Sequence, residues 1–175
     1  MNSLIIYSTT DGQTKKICET LKENSIDKNF YEIISLEEAF HKEIERYEKI
    51  IIGASIRYGR HNPKIYEFIK MNKEVLEKKK SAFFSVNVVA RKSEKNTPDT
   101  NPYIKKFLKK SDWQPKKLGV FAGKIDYPKL SFINRHIIRF IMFVTKGPTD
   151  TSKVYEFTDW EVVKKFAKKF DDLNS

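Results

Sequence analysis

The sequence predicts an α/β domain: a doubly wound sheet of five parallel strands, with a long helical insertion before the last helix. Three observations predict it. Short apolar runs alternate with helix-length amphipathic segments, the pattern of crossover connections. One run, Lys49-Ile50-Ile51-Ile52-Gly53, is apolar without alternation, as a strand covered on both faces requires. The first run, Leu4 to Ser8, passes through a loop of hydroxyl, amide and glycine residues directly into a helical pattern. A parallel strand delivers an anion to a helix N-terminus in this way.

The elements follow in order. Strand one is Leu4 to Ser8, and a helix runs from about Gln13 to Asn24. Strand two is about Phe30 to Leu36, and the charged, weakly periodic stretch Glu37 to Glu48 reads as helix. After strand three, a helix starts near Pro63, a favoured first-turn residue, and continues through Phe68 and Ile69 to about Lys78. Strand four is Ser81 to Val89, the next helix about Pro102 to Lys110, and strand five Leu118 to Ala122. The last helix opens at Thr158-Asp159-Trp160-Glu161, which fits a capping box, and shows Val162, Val163, Phe166, Ala167 and Phe170 on one face. No repeats or low-complexity segments interrupt this order.

One segment, about 124–153, exceeds what the fold needs. Within it Phe132 to Val144 is apolar over most of a helix, with Arg135, His136 and Arg139 as a narrow basic stripe and Lys124, Lys129 and Lys146 flanking it. Long connections that keep their own structure are often functional. The helix suits an interfacial membrane anchor, a cover for one side of the sheet, or a homodimer face.

At 175 residues and 20.6 kDa, the chain reads as one domain, 1–175, large enough to bury its own core. Apolar content of 39% beside 33% charged residues is that of a globular protein rather than a disordered one. The single cysteine, Cys18, excludes an intrachain disulfide and reads as a small core residue. No window spans a bilayer and no signal peptide is recognisable, so the expected location is the cytoplasm or the cytoplasmic face of a membrane. The net charge of +11 points to an anionic partner: an acidic substrate or an anionic lipid surface. Nucleic acid is not expected, since the basic residues are not gathered in one recognition element. His41 reads as solvated, and His61, in the loop after strand three, as an exposed loop residue or a hydrogen-bond donor. No His, Cys and carboxylate grouping has metal-ligand spacing.

Chemistry concentrates in Thr9-Thr10-Asp11-Gly12-Gln13-Thr14. Gly12 lets backbone approach an anion, the threonines offer hydroxyls, and the first helical N–H groups lack intrahelical partners. Without a lysine in the loop it is not a nucleoside-triphosphatase P-loop, and without G-x-G-x-x-G it is not the usual dinucleotide site. The donors suit a monoester phosphate such as that of flavin mononucleotide (FMN).

From Ile5 to Leu21 the chain resembles the flavodoxin signature: two apolar residues, an aromatic, then Thr9, Gly12, Thr14 and Leu21 at the family's spacing. Two residues depart from it. Cys18 replaces an alanine, and Asp11 puts a carboxylate beside the expected phosphate, unfavourable unless it turns outward to cap the helix. The resemblance implies FMN held by three loops at the carboxyl edge of the sheet: Thr9 to Thr14, Ser55-Ile56-Arg57-Tyr58 and Asn87-Val88-Val89-Ala90-Arg91. Tyr58 stacks on the flavin, walls a substrate pocket, or packs on its neighbours in a solvated loop. Arg57, Arg60, Arg91 and Lys92 fall on one rim, where arginine forks grip carboxylates, although each taken singly is an ordinary surface charge.

Further strings narrow the resemblance: Ile-Gly-Ala-Ser-Ile-Arg-Tyr-Gly (52–59), Phe-x-Ser-Val-Asn-x-Val-Ala-Arg-Lys (83–92), Thr-Asp-Thr (149–151) and Tyr-x-x-Thr-Asp-Trp-Glu (155–161). They resemble the flavodoxin-type, quinone-dependent protoporphyrinogen oxidases of bacterial haem biosynthesis. That resemblance implies dehydrogenation of protoporphyrinogen IX to protoporphyrin IX, electrons passed to a membrane quinone, and Thr149, Asp150 and Thr151 among the cofactor-binding residues. It also implies that the flavin carries the chemistry, with no protein acid–base dyad. The alternatives are a flavodoxin-type electron carrier with no substrate of its own and a flavin-free binding module.

Overall fold

The computed structural model describes residues 2–26 and 28–173. Strands β1 (Ser3–Ser8), β2 (Tyr31–Ser35), β3 (Lys49–Ser55), β4 (Lys80–Val86) and β5 (Lys117–Phe121) form one sheet in the order β2-β1-β3-β4-β5. Every pairing is parallel, with Leu4 beside Ile50, Ile52 beside Phe83, and Phe83 beside Leu118. Chain order reverses at β1, so the loops after β1 and β3 flank a switch point at the carboxyl edge, where doubly wound sheets bind ligands.

Alternate side chains feed two cores. Leu4, Ile6, Ile50, Ile52 and Phe83 meet α3 (Pro63–Met71), α4 (Lys73–Lys78) and α5 (Pro102–Ser111). Within that core the Phe83 and Phe107 rings stack with centroids 3.6 Å apart. On the opposite face Ile5, Ile51, Ala82 and Phe84 meet α1 (Gln13–Glu23) and α7 (Trp160–Asp171), and Cys18 is buried there as expected. Gly53 is required at the centre of β3, because a Cβ there would fall 2.1 Å from the Phe84 ring.

Several boundaries differ from the sequence reading. The 37–48 stretch is one helical turn, α2 (Leu36–Ala39), started by a Ser35/Glu38 capping box, then a 3-10 turn at Ile44–Arg46. Burial of Ile44 and Tyr47 draws this charged segment back to the sheet instead of letting the helix run on. The helix from Pro63 stops at Asn72, whose backbone and side-chain amides both donate to the Phe68 carbonyl, and α4 begins afresh. Strand β4 ends at Val86 because Asn87 caps a 3-10 turn, Val88–Arg91. Helix α7 is capped by Asp159, which accepts from Glu161 and Val162 N–H, while the Thr158 hydroxyl donates to the Ala122 carbonyl. Val162 is exposed, so the buried face of α7 is Val163, Phe166, Ala167 and Phe170.

The insertion is more than a helix. Strands β6 (Lys124–Asp126) and β7 (Val154–Glu156) form an antiparallel ribbon that closes the excursion at its base, and α6 (Phe132–Val144) stands on it. Ile125, Tyr127, Leu130 and Met142 make a small core of their own. Met142 is the one buried residue of α6, so the helix does not cover the sheet. Phe132, Ile133, Phe140, Phe143 and Val144 are each at least 62% exposed. The basic stripe is also divided: Arg135 turns inward and donates to the carbonyls of Tyr127, Pro128 and Leu130, leaving His136 and Arg139 outside.

Candidate active site at the carboxyl edge of the sheet

The first loop leaves β1 at Ser8 and enters α1 through Gly12, at φ +78°, a left-handed conformation that glycine adopts at no steric cost. No side chain caps α1, so its leading N–H groups remain for an external acceptor. The Thr9 and Thr14 hydroxyls are buried without a hydrogen-bond partner among the described residues. A buried hydroxyl left unpaired is costly. Two such hydroxyls beside an uncapped helix start fit a phosphate supplied by a ligand. Gln13 is not available for that role, because its amide donates to Thr158 Oγ1 at 2.9 Å and Glu156 Oε1 at 3.3 Å, tying α1 to the approach of α7.

Asp11 does not cap the helix. Its carboxylate lies 3.5 Å from Arg57 Nη1, and that pairing offsets the negative charge beside the uncapped start of α1. Arg57 in turn lies over the Tyr58 ring, 5.1 Å from its centroid.

The second loop is a tight turn in which Arg57 and Arg60 exchange backbone hydrogen bonds. Both central residues, Tyr58 (φ +49°) and Gly59 (φ +72°), are left-handed, as a type I′ turn demands. A tyrosine there is strained, and strain of this kind persists where surrounding contacts hold it. Here the exposed Tyr58 hydroxyl donates to Asn134 Oδ1 of α6 at 3.1 Å, linking the loop tip to the insertion. The loop is seated on the first by Ser55 Oγ donating to the Ser8 carbonyl and Asn62 Nδ2 to Ser8 Oγ.

His61 is buried, 3% exposed, not the exposed residue its loop position suggests. Its Nε2 meets Ser85 Oγ at 2.9 Å, and Phe83 and Phe107 pack edge-on against the ring. Burial pushes its pKa down to about 4, with Lys106 adding to the effect, so the imidazole is neutral near pH 7.

The network continues into the third loop. Asn87 Nδ2 donates to Ser85 Oγ, and Asn87 Oδ1 accepts from Ala90 N–H and from Asn101 Nδ2 at the start of α5. Four polar side chains thus fix the second and third loops relative to one another. Val88 and Val89 are half-buried on the cavity side, and Ala90 is buried.

The loops and insertion enclose a cavity of about 210 Å³, open on one side. Ile56, Arg57, Tyr58, Asn87, Val88, Val89 and Arg91 line one part. Lys124, Asp126, Tyr103 and the inward residues of α6, among them Ile137, Ile138 and Ile141, line the other. This second set was not assigned from sequence. Its only advance signal was the length of the segment and its flanking lysines. A polar hollow bordered by Thr9, Thr10, Ser55, Arg60 and His61 lies against the first loop.

The four basic residues expected on one rim divide. Arg57 reaches both hollows, and Arg60 borders only the polar one. Arg91 is held: it donates to the Val88 carbonyl and to Thr145 O and Oγ1, pinning the third loop to the end of α6. Lys92 borders a separate groove with Glu94 and Lys146. Thr149, Asp150 and Thr151 line neither hollow. Ser152 and Lys153 engage the Asp150 carboxylate, and its pKa falls to about 2 because Ser152 donates to it twice.

A family model described as a flavodoxin domain matches residues 4–152. Among curated proteins, protoporphyrinogen IX dehydrogenase (quinone) from Escherichia coli K12 is 42% identical over 177 residues, covering 99% of this chain and 96% of its own. The Leishmania major protein of the same name is 43% identical over 172 residues, covering 97% of this chain and 74% of its own. Among solved structures, oxidised flavodoxin 1 from Bacillus cereus superposes with a TM-score of 0.54 at 17% identity over the whole of both chains. An archaeal flavodoxin gives 0.54 at 16%, covering 98% and 97%. These two establish the fold alone, whereas the near-full-length identity to the curated proteins extends through the insertion. The chain therefore belongs to the flavodoxin-domain family and, within it, to the quinone-type protoporphyrinogen IX dehydrogenases.

Proposed function

We propose that this protein is an FMN-dependent oxidoreductase that converts protoporphyrinogen IX to protoporphyrin IX and passes the electrons to a membrane quinone. The observation that carries the reading is the cavity roofed by the insertion. An electron carrier needs only a flavin edge, while this chain builds an apolar enclosure against both ring-flanking loops, with Lys124 on its wall for an anionic substituent. The names of the curated relatives support the same substrate and acceptor. In this reading Thr9, Thr14 and the backbone of residues 10–14 hold the FMN phosphate, Ser55 to Tyr58 and Asn87 to Arg91 flank its ring system, and Arg57 offsets Asp11. The flavin, when bound, accepts two electrons at a time. The chain's residues bind, orient and exclude water.

The outer face of α6 supports contact with an anionic membrane surface. Its aromatic and aliphatic side chains are exposed, and Arg139 and Lys146 are exposed beside them. At 13 residues the helix is about 20 Å long, shorter than a bilayer core of about 30 Å, so it would lie in the interface. Among the described residues no helix is long and apolar enough to cross a membrane.

The test is anaerobic addition of protoporphyrinogen to FMN-loaded protein, following porphyrin fluorescence with and without a quinone. Porphyrin formation that continues past the flavin content only with quinone supports the proposal. Flavin that cycles without forming porphyrin indicates a carrier. A colourless preparation that refuses FMN indicates a flavin-free module.

A further inference from the structure

We propose that the α6-roofed cavity is a single site occupied in turn by the porphyrinogen and the quinone, which therefore compete for it. This rests on the function proposed above and goes beyond it, since that function is equally compatible with two separate sites.

Two described hollows take several residues of the ring-flanking loops, while a third, an open groove, meets only Arg91 at the end of the third loop. The one against Thr9 and Thr10 has a polar wall of Ser55, Arg60, His61 and Asn62 and adjoins the phosphate loop, so it suits neither a tetrapyrrole nor a quinone ring. The other is apolar and touches both loops. Its outer wall is α6, and the helix is apolar on both sides. Ile138 and Met142 face inward, Phe140 and Phe143 face solvent at 67% and 73% exposure, and Ile137 and Ile141, about half exposed, stand at the boundary while lining the cavity. A ligand dissolved in an apolar phase against the outer face would meet this opening first.

The polar equipment also suits alternate use. Arg91 is committed to Val88 and Thr145, and Arg57 is paired with Asp11. Lys124 lines the cavity and has no ion pair among the described residues. An ammonium group serves either ligand, pairing with a propionate carboxylate or donating to a quinone carbonyl oxygen.

The balance fixes how often the occupants exchange. Conversion of the porphyrinogen to the porphyrin breaks C–H and N–H bonds and removes six electrons and six protons in three two-electron steps. Each quinone takes up two electrons and two protons to become a quinol. Three quinones are reduced per porphyrin, so a shared site exchanges occupants after each step.

The FMN-loaded protein in detergent is titrated with both substrates, and displacement of bound protoporphyrin IX by a short-chain naphthoquinone is followed separately by fluorescence. A shared site gives parallel double-reciprocal lines and competitive displacement. Lys124→Met raises both KM values and weakens protoporphyrin binding roughly tenfold, the loss of one charge-assisted hydrogen bond. Ile141→Trp, which narrows the cavity without removing charge, raises both KM values together, with FMN content and thermal stability as controls for folding. Intersecting lines, simultaneous binding of porphyrin and quinone, or a change in one KM alone overturns the shared site while leaving the proposed function standing. Absence of porphyrin formation with any acceptor overturns both.

Discussion

Replacing Thr14 with valine should move two properties in opposite directions. The Thr14 hydroxyl is fully buried at the start of α1 and has no partner among the described residues. Valine has nearly the same shape without the polar atom, so the substitution removes a buried unsatisfied group from the ligand-free protein. Such a group costs about 1–3 kcal/mol. Entry of a water could already offset part of that, so the expected gain is about 1 kcal/mol, or about 2–4 °C in Tm for a domain of this size. In the FMN-bound protein the same hydroxyl is expected to meet the phosphate. Its loss should weaken binding by about 1–3 kcal/mol, roughly 5- to 150-fold in Kd. Thermal or urea unfolding of the apoprotein measures the first effect, and titration of flavin fluorescence the second. A less stable apoprotein with unchanged Kd would show that the hydroxyl has a partner inside the protein and that the phosphate lies elsewhere.

Further outcomes follow from the structure. Lys49 and Asp171 form a buried pair at 2.9 Å, and Asp171 also accepts from Ile26 N–H and the Tyr31 hydroxyl. Asp171→Ala should cost about 3–5 kcal/mol, because a buried ammonium is left unpaired, and a loss in urea unfolding below about 1 kcal/mol would refute the burial argument. For His61, the unfolded chain takes up a proton as pH falls through 6.5, while the folded chain resists until about 4. Its contribution to stability is therefore present above 6.5 and lost between 6.5 and 4, by about 3 kcal/mol at 1.36 kcal/mol per unit. His61→Gln should flatten that part of the stability–pH curve, and an unchanged slope would assign the acid loss to other groups. Phe140→Ser with Phe143→Ser should reduce co-sedimentation with anionic vesicles, and salt should weaken wild-type binding by screening Arg139 and Lys146. If the pair instead dissolves a dimer in sedimentation equilibrium, the outer face of α6 binds a second copy and not lipid.

The sequence by itself determined the layered architecture and the Thr9–Thr14 turn from the first strand into α1. Both rest on short-range signals: the apolar run of β3, the 3.6-residue spacing in α1 and α7, and the placing of Gly12 between Thr9 and Thr14. Boundaries shifted where one side chain decided them, as at Asn72, Asn87 and Asp159, since several neighbouring residues can cap a helix equally well on paper. Only the tertiary structure decided what long-range contacts control. It buried His61 by packing Phe83 and Phe107 around a residue whose neighbours in sequence form a loop. It turned Arg57 to Asp11 and Arg91 to Thr145, partners 46 and 54 residues distant, so basic residues that look alike in the sequence differ in what they can still bind. Most of all, it paired three residues of β6 with three of β7 across some thirty intervening positions, a ribbon too short to leave a periodic pattern. That pairing sets α6 over the loops after β3 and β4 with Met142 inward and Phe140 outward, and a helix apolar nearly all round gives no local indication of which side will be covered.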